Sequence, residues 1–212
     1  ITIFSNDTTV ATYGSIATQD VALGADDTIY GNAGNDLILG GHDNDDIKGN
    51  AGNDVIVGDN GSITTAAINA VVDIAEIAAA DAQDSDAGVD TITGNTGDDV
   101  ILGGLGGDAI KGNASHDVIV GDNGVITIFS NDTTVATYGS IATQDVALGA
   151  DDTIYGNAGN DLIFGGMADD IINAGYGNNI VFGDNGFIDW TAADVSRSYT
   201  STLPGDDTDP SD

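Results

Sequence analysis

Twelve oxygen-bearing side chains recur at nine-residue intervals in three blocks of the sequence. They are Asp27, Asp36, Asp45 and Asp54 in residues 22–57, then Asp90, Asp99, Asp108 and Asp117 in residues 85–120. Asp152, Asp161, Asp170 and Asn179 complete the set in residues 147–182. Each closes a glycine-rich stretch and opens a three-residue apolar segment. The middle residue of that segment is isoleucine eleven times and valine once, at Val181. Such a register puts a carboxylate and a buried aliphatic at fixed points of a repeating coil. Short carboxylates in rows against a tight backbone offer hard oxygen atoms to positive ions.

The rest of the composition agrees. Of 35 acidic residues 34 are Asp and one is Glu76, against the bases Lys48, Lys111 and Arg197, for a formal charge of −32. A merely solvated acidic surface would use Glu freely; Asp alone points to carboxylates held where a longer side chain would overshoot. Charge of this size opposes compaction unless cations neutralise it. Disorder, the usual reading of an acidic chain, conflicts with 41% hydrophobic residues and periodic aliphatics. So few bases argue against nucleic acid and anionic membranes as partners. Cysteine is absent, no basic-then-apolar leader follows Ile1, and no run reaches membrane-spanning length. If the protein is exported, its signal is expected outside this segment, and no membrane insertion is expected.

The nonapeptides Gly31-Asn32-Ala33-Gly34-Asn35-Asp36-Leu37-Ile38-Leu39 and Gly103-Gly104-Leu105-Gly106-Gly107-Asp108-Ala109-Ile110-Lys111 resemble the hemolysin-type (RTX) calcium-binding repeat. The resemblance implies an all-β fold, a right-handed parallel β-roll or β-helix. Six residues of each unit form a turn and three a strand, and two nonapeptides make one coil. It also implies calcium between successive turns, held by the position-six aspartates and by backbone carbonyls of turn glycines. Carried onto this chain, the ligands are Asp27, Asp36, Asp45, Asp54, Asp90, Asp99, Asp108, Asp117, Asp152, Asp161 and Asp170. With them come Gly31, Gly34, Gly49, Gly52, Gly94, Gly97, Gly112, Gly156 and Gly159, and Asp59, Asp122 and Asp184 of the recurring Gly-Asp-Asn-Gly. About two or three ions per module are expected from this ligand supply.

Elementary chemistry supports the same assignment. Calcium takes six to eight hard oxygens in a tolerant geometry. Glycine suits positive φ and close approach of turns, and Asn at positions two and five (Asn32, Asn35, Asn50, Asn53) tolerates the same conformations. Departures predict weaker sites. Asp43, Ser115 and Ala168 replace glycine at position four, Asn179 replaces the last aspartate, and each block opens on a glycine-poor unit such as Ala22-Leu23-Gly24-Ala25-Asp26.

A longer period overlies the short one. Ile1 to Ile38 is identical to Ile126 to Ile163, an offset of 125 residues, which is two modules. The chain divides into an excursion over 1–21, RTX blocks over 22–61, 85–124 and 147–186, and excursions over 62–84 and 125–146. A partial excursion or the start of another module fills 187–212. The whole reads as a window on a longer tandem array, with a C-terminal tail as the alternative. Odd strands such as Thr28-Ile29-Tyr30 and Asp46-Ile47-Lys48 are polar outside. Even strands such as Val55-Ile56-Val57 and Val118-Ile119-Val120 are apolar on both faces, so a second layer must cover them. Asn-Gly in Gly58-Asp59-Asn60-Gly61 and its copies predicts a hairpin turn, sending Val55-Ile56-Val57 back into Ile63-Thr64. A short amphipathic helix over Ala66 to Ala80 is the alternative.

No catalytic constellation accompanies the repeats, and His42 and His116 occupy non-equivalent turn positions. The protein is expected not to be an enzyme. Its expected partners are calcium and neighbouring modules or copies of itself. Inner aliphatics alone do not offset chain entropy and self-repulsion, so the chain is expected to fold on calcium. Two function classes remain. One is a calcium-rigidified structural segment of a giant secreted or cell-surface protein: an adhesin stalk, matrix component or filament. The other is the calcium-dependent folding and type I secretion domain of an RTX toxin or secreted hydrolase. Both place the chain outside the cell, with bacterial type I secretion as the expected route.

Overall fold

A computed structural model describes residues 15–18, 24–68, 71–79, 88–132, 135–144, 148–189 and 198–200. Among them every regular element is a strand. The odd nonapeptides form a six-stranded parallel sheet, here the polar sheet, from Thr28–Ala33, Asp46–Ala51, Thr91–Thr96, Ala109–Ala114, Thr153–Ala158 and Ile171–Asn173. The even ones form a parallel apolar sheet of the same size from Leu37–Leu39, Val55–Val57, Val100–Leu102, Val118–Val120, Leu162–Gly166 and Ile180–Asp184. Both run in chain order, so each pair of nonapeptides adds one strand to each wall. The result is a β-roll.

Register follows from the central aliphatics. Ile29, Ile47, Ile92, Ile110, Ile154 and Ile172 are direct partners along the polar sheet. Ile38, Ile56, Ile101, Ile119, Ile163 and Val181 are partners along the apolar one. Slipping by one residue would turn every one of them outward. The first five of each row fill the space between the walls as one cluster of ten buried isoleucines. Ile172 is only partly buried and Val181 is 45% exposed. The expected set of twelve buried side chains is therefore ten, the two exceptions both lying in the last coil.

Blocks are contiguous in space although excursions separate them in sequence. Asp46–Ala51 pairs with Thr91–Thr96 and Val55–Val57 with Val100–Leu102. Ala109–Ala114 likewise pairs with Thr153–Ala158, and Val118–Val120 with Leu162–Gly166.

The excursions build a third sheet. Gly61–Ile68 with Val71–Ala79, and Gly124–Asp132 with Val135–Thr143, are antiparallel hairpins. They join side by side, with Ser15–Ala17, Phe187–Asp189 and Ser198–Thr200, into a seven-stranded antiparallel cover sheet. It packs on the outer face of the apolar sheet. Ile63, Ile77, Ile126, Ile141 and Ile188 meet Val55, Val57, Val100, Leu102, Val118, Val120 and Phe164 in a second core. Residues 66–68 and 71–79 are strands, so the helical alternative does not hold.

One expectation is corrected. Gly-Asp-Asn-Gly is not a hairpin turn between paired strands but a corner that carries the chain from the apolar sheet to the cover sheet. Both edges of Val55–Val57 are occupied, by Leu37–Leu39 and Val100–Leu102. The departing chain finds no free edge there and must change layer. Residues 69–70 and 133–134, which link the hairpin strands, lie outside the described residues.

Candidate metal centres

The turns along each edge of the roll place the position-six side chains in a row. On one edge the backbone N–H of Asp27 donates to Asp45 Oδ1, Asp45 to Asp90, Asp90 to Asp108, Asp108 to Asp152 and Asp152 to Asp170, at 2.7–2.9 Å. On the other, Asp36 donates to Asp54, Asp54 to Asp99, Asp99 to Asp117, Asp117 to Asp161 and Asp161 to Asn179, at 2.8–3.1 Å. Every link joins one coil to the next, and the rows pass unbroken from block to block.

The second oxygen of these carboxylates has no such partner. Oδ2 of Asp36, Asp45, Asp54, Asp90, Asp99, Asp108, Asp117, Asp152, Asp161 and Asp170 is buried without a hydrogen bond. Beside each lies a glycine whose missing Cβ leaves a cradle. A methyl group at Gly31 would sit 2.7 Å from Asp36 Oδ2 and 2.7 Å from the Gly49 carbonyl oxygen of the next coil. Gly156 is placed likewise between Asp161 Oδ2 and the Ala174 carbonyl. The same pairing of carboxylate and carbonyl surrounds Gly40, Gly58, Gly94, Gly103, Gly121 and Gly165. Two acceptors facing each other in a space closed to water repel unless something positive stands between them.

Burial moves the carboxylates accordingly. Removal from water pushes Asp90, Asp117 and Asp152 up to about 8 and Asp99 to about 7, partly countered by the N–H each accepts. Asp45 and Asp170 rise to about 6 for the same reason, and Asp108 stands well above the usual carboxylate range. Asp36, Asp54 and Asp161 are raised as well, again chiefly by burial. Neighbouring carboxylates add to the rise at Asp90, Asp108 and Asp152. Charged forms there call for a counter-ion.

The donor set matches a hard cation. Among the described residues no three His, Asp or Glu side chains converge on one point; each cradle offers carboxylate and main-chain carbonyl oxygen, without nitrogen or sulfur. That is calcium's preference rather than that of zinc or copper. The residues fit a calcium ion, which would supply the missing positive charge between coils.

The remaining expected residues fall in three groups. Gly31, Gly49, Gly94, Gly112 and Gly156 stand at position one, each against the Oδ2 of its own turn's aspartate. Gly34, Gly52 and Gly97 stand at position four with φ of 122°, 129° and 128°. A side chain at Gly52, Gly97 or Gly159 would strike the carbonyl of the preceding coil. Asp27 and Asp184 are exposed. Asp59 and Asp122 have a different environment: each engages backbone donors with both oxygens. Asp59 accepts from Gly88 and Leu105 at 2.9 Å, and Asp122 from Ala150 and Met167. They tie the corner to the first and third units of the next block.

Gly40, Gly58, Gly103, Gly121 and Gly165 line cradles without being among the expected residues. Gly58 and Gly121 serve Asp90 and Asp152, so the glycine-poor opening units borrow their position-one glycine from the preceding corner. The sequence carries a signal for this: both stand nine residues after Gly49 and Gly112. Asp43, Ser115 and Ala168 at position four take left-handed φ of 71°, 86° and 74°, below the 122–129° of Gly34, Gly52 and Gly97 at that position.

Comparison with known proteins agrees. The profile of the RTX calcium-binding nonapeptide repeat matches residues 21–56, 43–62, 84–119, 146–172 and 168–187, more than half of the chain. No curated protein matches it. The repeated turns, the paired parallel walls and these matches carry one conclusion: the chain belongs to the RTX calcium-binding nonapeptide repeat family.

Proposed function

We propose that this chain is a calcium-rigidified structural segment of an extracellular protein, a stalk or filament element built by stacking modules. The observation that carries the reading is the unbroken register between blocks. Asp45 bonds to Asp90 and Asp108 to Asp152 across the excursions, and the hairpins join into one sheet over the same junctions. Modules therefore meet through three sheets at once, without a hinge, as a rod under tension requires. Ions at the ten orphaned carboxylate oxygens, about three per block, would complete it. Asp36, Asp45, Asp54, Asp90, Asp99, Asp108, Asp117, Asp152, Asp161 and Asp170 are the side-chain ligands in this reading, with position-one carbonyls facing them. Millimolar calcium outside the cell fills even weak sites of this kind, whereas a chain short of calcium stays expanded by its own charge.

Small-angle scattering of this chain and of a tandem of two copies, each with millimolar calcium and metal-free, tests the reading. The expected result is a rod whose length doubles in the tandem at unchanged cross-section, and an expanded coil without metal. Two lobes in varying orientation would instead favour an independent folding and secretion domain.

A further inference from the structure

The three corners share a feature that neither the roll nor its ions require. Asn60-Gly61, Asn123-Gly124 and Asn185-Gly186 are the chain's only Asn-Gly pairs, and all three stand where the chain leaves the apolar sheet. Asn-Gly is the dipeptide most open to intramolecular attack, because glycine has no side chain to hinder its own nitrogen. In an unfolded chain the deprotonated Gly nitrogen attacks the Asn side-chain carbonyl carbon. A C–N bond forms, the amide leaves as ammonia, and a five-membered succinimide results. Water then opens either carbonyl, giving aspartate or isoaspartate, the latter with an extra methylene in the main chain.

Folding blocks each part of this reaction. Asn60, Asn123 and Asn185 are 3%, 0% and 6% exposed, which excludes water and hydroxide. The attacking nitrogen is also held: Gly61 N–H donates to Thr18 Oγ1 at 3.1 Å, and Gly186 N–H to Thr143 Oγ1 at 3.0 Å. Gly124 lies in the cover sheet, paired with Ala79 and Thr143. Flanking geometry adds a cost to any product. A Cβ at Gly61 would meet Ala78 O and Val57, and one at Gly124 would meet Val120, so the corners are closely packed and a lengthened main chain would have to displace these neighbours.

We propose that the three corners are deamidation sites gated by calcium, silent in the folded roll and reactive in a chain deprived of the ion. The proposal rests on calcium-coupled folding as set out above. It gives the unfolded chain a limited lifetime: once isoaspartate forms at a corner, the hairpin beyond it no longer seats on the apolar sheet.

The test incubates the protein at mildly alkaline pH in millimolar calcium, in chelator, and in chelator with urea. Circular dichroism is followed in parallel, with intact mass and isoaspartate mapping at intervals. The expected result is conversion of Asn60, Asn123 and Asn185 at comparable rates with chelator and with chelator plus urea, and none in calcium. Conversion in calcium while the β spectrum persists would overturn the protection by the corners. Conversion only in urea, with the β spectrum surviving chelator, would overturn the calcium gate and calcium-coupled folding together. Absence of conversion even in urea would overturn the corners as modification sites while leaving calcium-coupled folding intact.

Discussion

Asn179 donates its side-chain amide to the carbonyl oxygen of Ala174 at 3.1 Å while its Oδ1 accepts the backbone N–H of Asp161 at 2.8 Å. In the other turns beyond the first coil an aspartate makes the second of these bonds and leaves Oδ2 orphaned. The last turn thus closes with its own hydrogen bond the place that a cation would take in the other turns. It has also replaced the position-one glycine by Ala174, whose Cβ joins the inner apolar cluster. The two departures belong together, because a Cβ at position one occupies the cradle.

Restoring both residues should restore a site. N179D alone removes a donor and leaves a carboxylate without a partner, costing the metal-free fold about 1–3 kcal/mol by the usual penalty for an unsatisfied polar group. N179D with A174G should add one bound calcium, counted by native mass spectrometry. An unchanged ion count in the double variant would contradict the cradle assignment.

The converse substitution should loosen the dependence on calcium. In D108N the amide can donate to the Gly103 carbonyl as Asn179 does to Ala174, so the metal-free roll gains stability. We expect a smaller rise of Tm on adding calcium than in the parent and one ion fewer. Thermal unfolding with and without chelator checks the first, and native mass spectrometry counts the ions.

Position-one glycines should be the least replaceable residues of the turns. G103A sets a methyl against Asp108 Oδ2 and the Gly121 carbonyl. Overpacking of this kind costs about 1–3 kcal/mol, and the calcium-dependent part of stability should fall with it. G183A is the control, since nothing lies within 4 Å of its missing Cβ. It should change stability by no more than about 0.5 kcal/mol.

Without metal, acid should favour the roll. The buried aspartates hold their proton more tightly folded than unfolded: about 8 for Asp90, Asp117 and Asp152 and about 6 for Asp45 and Asp170, against an ordinary 3.8. Between those limits the folded state binds more protons, so stability falls as pH rises. Metal-free protein should therefore show most β structure near the ordinary carboxylate value and lose it progressively as pH rises from there to about 8. Calcium should cancel that loss, and its binding should release protons in the same window. Circular dichroism against pH, with pH-stat titration of calcium uptake, measures both.

Position along the inner row should set the cost of truncation. I119A, in the middle of the ten buried isoleucines, should cost about 2–5 kcal/mol. V181A, at a residue already half exposed, should cost well under that. Chemical denaturation in saturating calcium compares them.

The nonapeptide register alone makes the inner isoleucines, the two opposite walls and the need for a cover legible. Those features depend on local periodicity, which sequence carries directly. The corners read differently in sequence and in space, because Asn-Gly signals a hairpin only where an edge is free. Whether Val55–Val57 has a free edge is decided by Leu37–Leu39 and Val100–Leu102. The cradles at Gly58 and Gly121 escape the repeat pattern for a related reason. Each pairs with an aspartate more than 30 residues on, across an excursion whose length hides the nine-residue count. The left-handed φ of Ser115 and Ala168 leaves no composition signal, since the surrounding coils impose it.

The excursions also give the roll an uneven mechanical character. An 18-residue coil, such as that from Asp27 to Asp45, carries roughly 60 Å of extended chain, whereas the 45-residue step from Asp45 to Asp90 carries roughly 150 Å. Either step advances the roll by only about 4.8 Å. Pulled from its ends and peeled one coil at a time, the segment would lengthen in alternating short and long strides. The long ones fall where a hairpin must strip from the cover sheet before the chain runs free. Tension applied to such a segment would be dissipated in graded steps rather than in a single rupture.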